Sequence, residues 1–230
     1  MRWGVSTMIW EKSGIPLSDS LKRIAGFGFS LVDLAGIGSG DASKMTVSDK
    51  MAIGQLLRTH DLRIVGTVLL EATNLATTDA GFRKRQMDYC QRAALYQEEL
   101  GGGHVLLCWG CGSVAIGQNR TEAWSASRAF ITEFCAWAMT ATPSVKVMLE
   151  FDPAMFYVVR DIATLEQMIT EIGAPNLFAN IDIAHMNVTR EGPSSLKKLA
   201  GRILHLHVSD NDGKDDAHLA LGRGNVDPRP

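Results

Sequence analysis

Glu150, Asp182, His185 and His207 are acids and imidazoles that stand where successive apolar runs end. Val145-Lys146-Val147-Met148-Leu149 leads into Glu150. Leu177-Phe178-Ala179-Asn180-Ile181 leads into Asp182, with His185 three residues on, and Ile203-Leu204-His205-Leu206 leads into His207. Two carboxylates and an imidazole together offer oxygen and nitrogen donors. Such a mixed set suits one divalent ion (Mn2+, Mg2+, Co2+ or Zn2+) and leaves positions open for a substrate. A lone carboxylate after a strand serves as a helix cap or an ion-pair partner. Ligand-type residues at three consecutive strand ends point instead to the mouth of an α/β barrel.

The elements that would position them follow from the apolar pattern. Short apolar runs read as buried parallel strands. The predicted strands are Trp3–Ile9, Leu31–Leu34, Leu62–Leu69, His104–Cys108, Val145–Leu149, Leu177–Ile181 and Ile203–Val208. Helical stretches between them include Leu17–Ala25, Ser48–Thr59, Gly81–Leu100, Glu122–Thr140, Ile162–Ile172 and Ser194–Leu199. Thr46-Val47-Ser48-Asp49 supplies N-cap residues, and Gly101 follows Leu100 where a left-handed C-cap is wanted. The glycines at 101–103 therefore read as helix termination. Alternating strands and helices imply a parallel sheet with right-handed crossovers.

Two architectures fit that alternation, an open doubly wound sheet and a closed barrel. A dinucleotide-binding sheet carries G-x-G-x-x-G after its first strand. Here the first strand ends Thr7-Met8-Ile9-Trp10, without glycine. Gly36-Ile37-Gly38-Ser39-Gly40 follows strand two with the wrong spacing and reads as a βα loop. Seven similar units with functional residues at strand ends favour an α/β fold of (β/α)8 TIM-barrel type. It is expected to form one domain over residues 1–230, truncated after strand seven with its last βα unit missing.

Composition narrows the function classes. A chain of 230 residues that is 46% hydrophobic can bury a full core. The formal net charge is −2 and basic residues form no extended cluster, which argues against a nucleic-acid partner. The N-terminus begins a strand-like run rather than a signal peptide, and no run reaches the roughly 18 apolar residues of a membrane span. A cytoplasmic protein without a membrane partner is expected. Cys108-Trp109-Gly110-Cys111 spells C-x-x-C but lacks the helix start of a redox pair and the second pair of a zinc site. It reads as two ordinary thiols ending strand four.

In combination these motifs resemble a known family. Leu149-Glu150, Asp182-x-x-His185-Met186-Asn187, His205-x-His207-Val208-Ser209-Asp210 and Asp216-x-His218-Leu219-x-x-Gly222-x-Gly224 are similar to the sugar isomerase/epimerase superfamily with the xylose isomerase-like TIM barrel. Its members include ketose 3-epimerases, hydroxypyruvate isomerases, inosose dehydratases and isomerases, and metal-dependent apurinic endonucleases. The resemblance implies that Glu150, Asp182 and His207 hold the metal and that His185 touches a substrate oxygen. A second glutamate, from the last strand of the epimerase-like members, has no counterpart here. The endonucleases need additional histidines after strands three and four, where this chain has Val68-Leu69-Leu70-Glu71 and Leu107-Cys108-Trp109. Asp216 and His218 match a pair that binds a further metal in the endonucleases, but sugar-active relatives share that segment.

The implied function is a divalent-metal-dependent isomerase or epimerase that moves a proton next to a carbonyl of a small sugar, keto-sugar or cyclitol. Glu150 is the expected acid/base group, with His185 beside it. A lyase or dehydratase on the same scaffold, or a non-catalytic barrel that binds metal or sugar, are the alternatives. Trp10 and Trp109 end strands one and four as candidate walls for a sugar ring, or as packing residues. His205 is assigned to the opposite face from His207 as a packed histidine, and His60 to the end of a helix. Gly222-Arg223-Gly224 leaves phosphate recognition open. A homo-oligomer is expected from unpaired sheet edges.

Overall fold

The apolar runs form strands, and all seven join one sheet. They are β1 (Val5–Ser6), β2 (Leu31–Ala35), β3 (Arg63–Val68), β4 (Gly103–Leu107), β5 (Val145–Leu149), β6 (Leu177–Asp182) and β7 (Ile203–His207). The structure is a computed structural model that describes residues 2–35, 45–114 and 117–226. The glycine loop expected at 36–40 lies outside the described residues. Every neighbouring pair is parallel and the spatial order is the chain order, β1 through β7. That is the order of a TIM barrel. Asp33 of β2 reaches His207 of β7 at 3.0 Å, so the sheet curls until these two strands face each other across its interior.

Helices fill the crossovers: α1 (Leu17–Gly26), α2 (Val47–Thr59), α3 (Ala80–Glu99), α4 (Arg120–Ala141), α5 (Ile162–Ile172) and α6 (Ile183–Thr189). Their starts follow local chemistry. Thr46 and Asp49 form a capping box on α2, and Asn119 and Glu122 form one on α4. Gly101, at φ 97°, ends α3 as expected.

Three differences from the sequence reading have local causes. β1 is two residues long, because the Ser6 hydroxyl accepts the Met8 N–H and turns the chain into a 3-10 segment, Thr7–Ser13. The stretch expected as a helix near Ser194 is a 3-10 segment, Pro193–Leu199, opened by proline. The seven-residue α6 was not expected at all, and it carries His185.

Two apolar sets hold the layers together. The larger lies between the strands and the helices and includes Leu34, Val105, Val147, Leu149 and Ile181 against Leu21, Ile24, Phe130, Phe134 and Leu165. The smaller fills the concave side of the sheet with Ala35, Val68, Leu70, Leu106, Cys108 and Met148. Strand alternation produces this division, since neighbours along a strand face opposite sides. Glu150, just past β5, and Asp182, the last residue of β6, therefore stand at the carboxyl ends of strands. Among the described residues no helix is long and apolar enough to cross a membrane.

Candidate metal centre

Four side chains expected to act together are brought together. Donor atoms of Glu150, Asp182 and His207 all lie within 4.8 Å of one another. Glu150 and Asp182 are 5% and 3% exposed, a burial that charged groups tolerate only with partners. Glu150 Oε1 accepts from Asn180 Nδ2 at 2.5 Å and stands 3.1 Å from His207 Nδ1. Asp182 caps α6, its Oδ1 accepting the Ala184 N–H at 2.7 Å. Burial resists charge on Glu150, but the His207 imidazole outweighs it and holds the carboxyl below the usual range. Burial also resists charge on His207, while Glu150 and Asp33 raise its pKa well above the ordinary value. Two carboxylates and one imidazole converging on one buried point fit a divalent ion, whose charge would satisfy both acids at once.

His185 sits beside this centre. Its Nδ1 is 2.7 Å from the Phe151 carbonyl, and because a carbonyl only accepts, Nδ1 carries a proton. Nε2 therefore faces the site, 3.9 Å from Asp182 and 3.1 Å from Asp216. Despite burial, Asp216 together with Asp182 and Glu150 raises the His185 pKa to about 10. Asp216 also holds His218, with Oδ1 2.9 Å from Nδ1, and the His185 and His218 rings stack at 5.9 Å. Asp182, His185 and His218 thus form a second ligand-type group, as do Asp152, His185 and Asp216.

Two acids here were missed from the sequence. Asp152 accepts the Gly110 N–H, and burial with repulsion from Glu150 raises its carboxyl to about 7. Its signal was available, two residues past Glu150 in the same strand-end segment. Asp33 lies mid-strand in Leu31-Val32-Asp33-Leu34 and its partners are far away in the chain, so no local signal exists.

The remaining candidates are placed as follows. Trp10 lies in the 3-10 segment after β1 and packs against the larger core. Trp109 packs on the concave side and donates to the Leu70 carbonyl at 2.9 Å. His205 does not lie opposite His207. Residues two apart in a strand share a face, and both imidazoles reach Asp33, His205 at 3.3 Å. A register shift after Ala179–Ile203 sets His205 opposite Asn180 and His207 opposite Asp182. His60 is the C-cap of α2. The glycine-rich turn near Arg223 has its donors engaged, since Gly222 and Gly224 N–H groups donate to Asp210 Oδ2 at 2.8 and 2.9 Å. That leaves those donors unavailable to a phosphate. Cys108 and Cys111 are buried free thiols, and burial raises both well above the ordinary thiol value.

A curled parallel sheet with acids and histidines at its carboxyl ends defines an α/β fold of TIM-barrel type. Residues 21–230 match the family of the xylose isomerase-like TIM barrel, and the chain belongs to it. The fructoselysine 3-epimerase of Escherichia coli O157:H7 is 24% identical over 157 residues, 66% of this chain. The match covers 55% of that enzyme, so the chain spans about half the length of this curated relative. A crystal structure of a D-tagatose 3-epimerase-like protein superposes with a TM-score of 0.86 at 22% identity, covering 99% of this chain and 83% of the other. The IOLI protein, crystallised with a zinc atom, superposes with a TM-score of 0.80 at 16% identity, covering 98% and 81%.

Proposed function

We propose that this protein is a divalent-metal-dependent isomerase or epimerase that moves a proton next to a carbonyl of a small sugar, keto-sugar or cyclitol. The convergence of Glu150, Asp182 and His207 within 4.8 Å carries the reading. Kinship with sugar epimerases supports it. A divalent ion held by these three residues would supply a Lewis acid for the substrate carbonyl.

The chain's own residues do the rest. Glu150 is the proton-transfer group, kept ionised by His207 and therefore ready to accept a proton. Asn180 and His207 fix its Oε1, so its orientation is set before substrate arrives. His185, with Nδ1 locked on the Phe151 carbonyl and Nε2 3.1 Å from Asp216, is the group that would offer an Nε2–H donor to a substrate oxygen. Trp109 offers an apolar wall on the concave side.

The test is exchange of the substrate C–H with deuterated solvent across a panel of ketoses and cyclitol ketones. Glu150→Gln is expected to lower exchange by roughly 10²–10⁴-fold while the far-ultraviolet circular dichroism is unchanged. Undiminished exchange would remove Glu150 from this role. Exchange accompanied by loss of water from the product would place the protein with lyases on the same scaffold. Metal and sugar binding with no exchange at all would make it a non-catalytic barrel.

A further inference from the structure

Below the site already described, a second set of donors converges inside the curled sheet. Asp33 of β2, His104 of β4 and His205 of β7 place one donor atom each within 4.8 Å of one another. Asp33 Oδ1 lies 3.3 Å from His104 Nε2, and Asp33 Oδ2 lies 3.3 Å from His205 Nε2. Asp33 and His104 are both 4% exposed. Asp33 Oδ1 and His104 Nε2 face each other at 3.3 Å as a buried pair without the alignment of a regular hydrogen bond. A buried pair held at that distance without regular hydrogen-bond geometry calls for an explanation. The pair is close enough for a hydrogen bond and misaligned for one, which is the relation expected of two ligands that share a third body.

The backbone is built around this cluster. A Cβ on Gly66 of β3 would lie 1.8 Å from His104 Nε2, so the imidazole occupies the volume a side chain on β3 would take. Only glycine there lets His104 reach across β3 to Asp33. One donor atom from each of the three residues lies within 4.8 Å of the others, close enough to converge on one ion.

We propose that Asp33, His104 and His205 form a second, interior site for a divalent transition metal such as Zn2+ or Co2+. Two imidazoles and one carboxylate are donors of the borderline kind these ions favour over Mg2+. Asp33 contacts this cluster and, through Oδ2, also holds His207 Nε2 at 3.0 Å. Its carboxylate therefore joins the interior site to the imidazole of the upper one.

The metal-free protein is titrated with Co2+, following visible absorbance and bound metal after gel filtration. The wild type is expected to bind two equivalents per chain. The double variant Glu150→Gln/Asp182→Asn is expected to keep one, and to lose it when His205→Gln or His104→Gln is added. X-ray absorption of the retained ion should show two imidazole ligands. A wild type that binds no Co2+, or a single equivalent that His104→Gln leaves in place, would overturn the proposal. So would a retained equivalent that survives both histidine substitutions, or one with fewer than two imidazoles. Failure of the interior site leaves the Glu150 exchange result unaffected, so the two readings fail separately.

Discussion

At the scale of single residues, the upper site was legible because each member ends an apolar run. Glu150, Asp182 and His207 stand at or just past the ends of β5, β6 and β7, where a strand-end acid or imidazole has a short list of uses. Asp33 was not legible. It sits inside an apolar run; His104 reaches it across β3 at Gly66, and His205 and His207 are brought to it only by closure of the sheet. His205 was misassigned although the two-residue period of a strand places it with His207. Gly66 shows the same dependence on the whole, since nothing local says that a ring 38 positions later will lie over it. Gly66→Ala should force His104 or a strand to move and destabilise the protein by about 1–3 kcal/mol, read as a lower denaturation midpoint. An unchanged midpoint would show that the interior is looser than the contact distances imply.

At the scale of elements, strand centres and most helices were legible from apolar period and capping residues. The misses are short pieces. α6 has seven residues, too few for a helical period to declare itself, and Asp182 caps it from the end of β6. The segment after β7 is ordered by one carboxylate instead of by periodicity. Asp210 is 1% exposed and accepts N–H groups from Asn211, Gly222, Gly224 and Val226. These donors hold its carboxyl below the usual range. A group whose folded pKa is depressed contributes stability above its unfolded value, about 3.9 for Asp. That contribution is lost as pH falls through the folded pKa. Hydrogen-exchange protection of residues 210–226 is therefore expected to be full near neutrality and to fall below about pH 4. Asp210→Asn should lack it at neutral pH. Equal protection in wild type and variant would show that other contacts order the segment.

At the scale of the molecule, the barrel-type sheet was legible from strand–helix alternation and the absence of a dinucleotide loop, and the observed strand order agrees with it. What the alternation could not show is how closure joins the sites, with Asp33 linking β2 to β4 and β7. β7 pairs only with β6 among the described residues, and it exposes Leu204 (49%) and Leu206 (36%). An apolar strand edge invites pairing with another chain. Self-association in sedimentation velocity is expected, and Leu204→Lys/Leu206→Lys should reduce it. A wild type that stays monomeric across concentration would contradict that. The proposed activity is proton transfer on a small ketose or cyclitol ketone by the Glu150 carboxylate together with a divalent ion. Its most direct test is solvent-deuterium exchange of the substrate C–H by the wild-type protein, before chelation, after chelation, and after Mn2+ or Co2+ is restored. Exchange is expected to be lost on chelation and recovered on adding the ion back. Exchange that persists at full rate in the metal-free protein would contradict it.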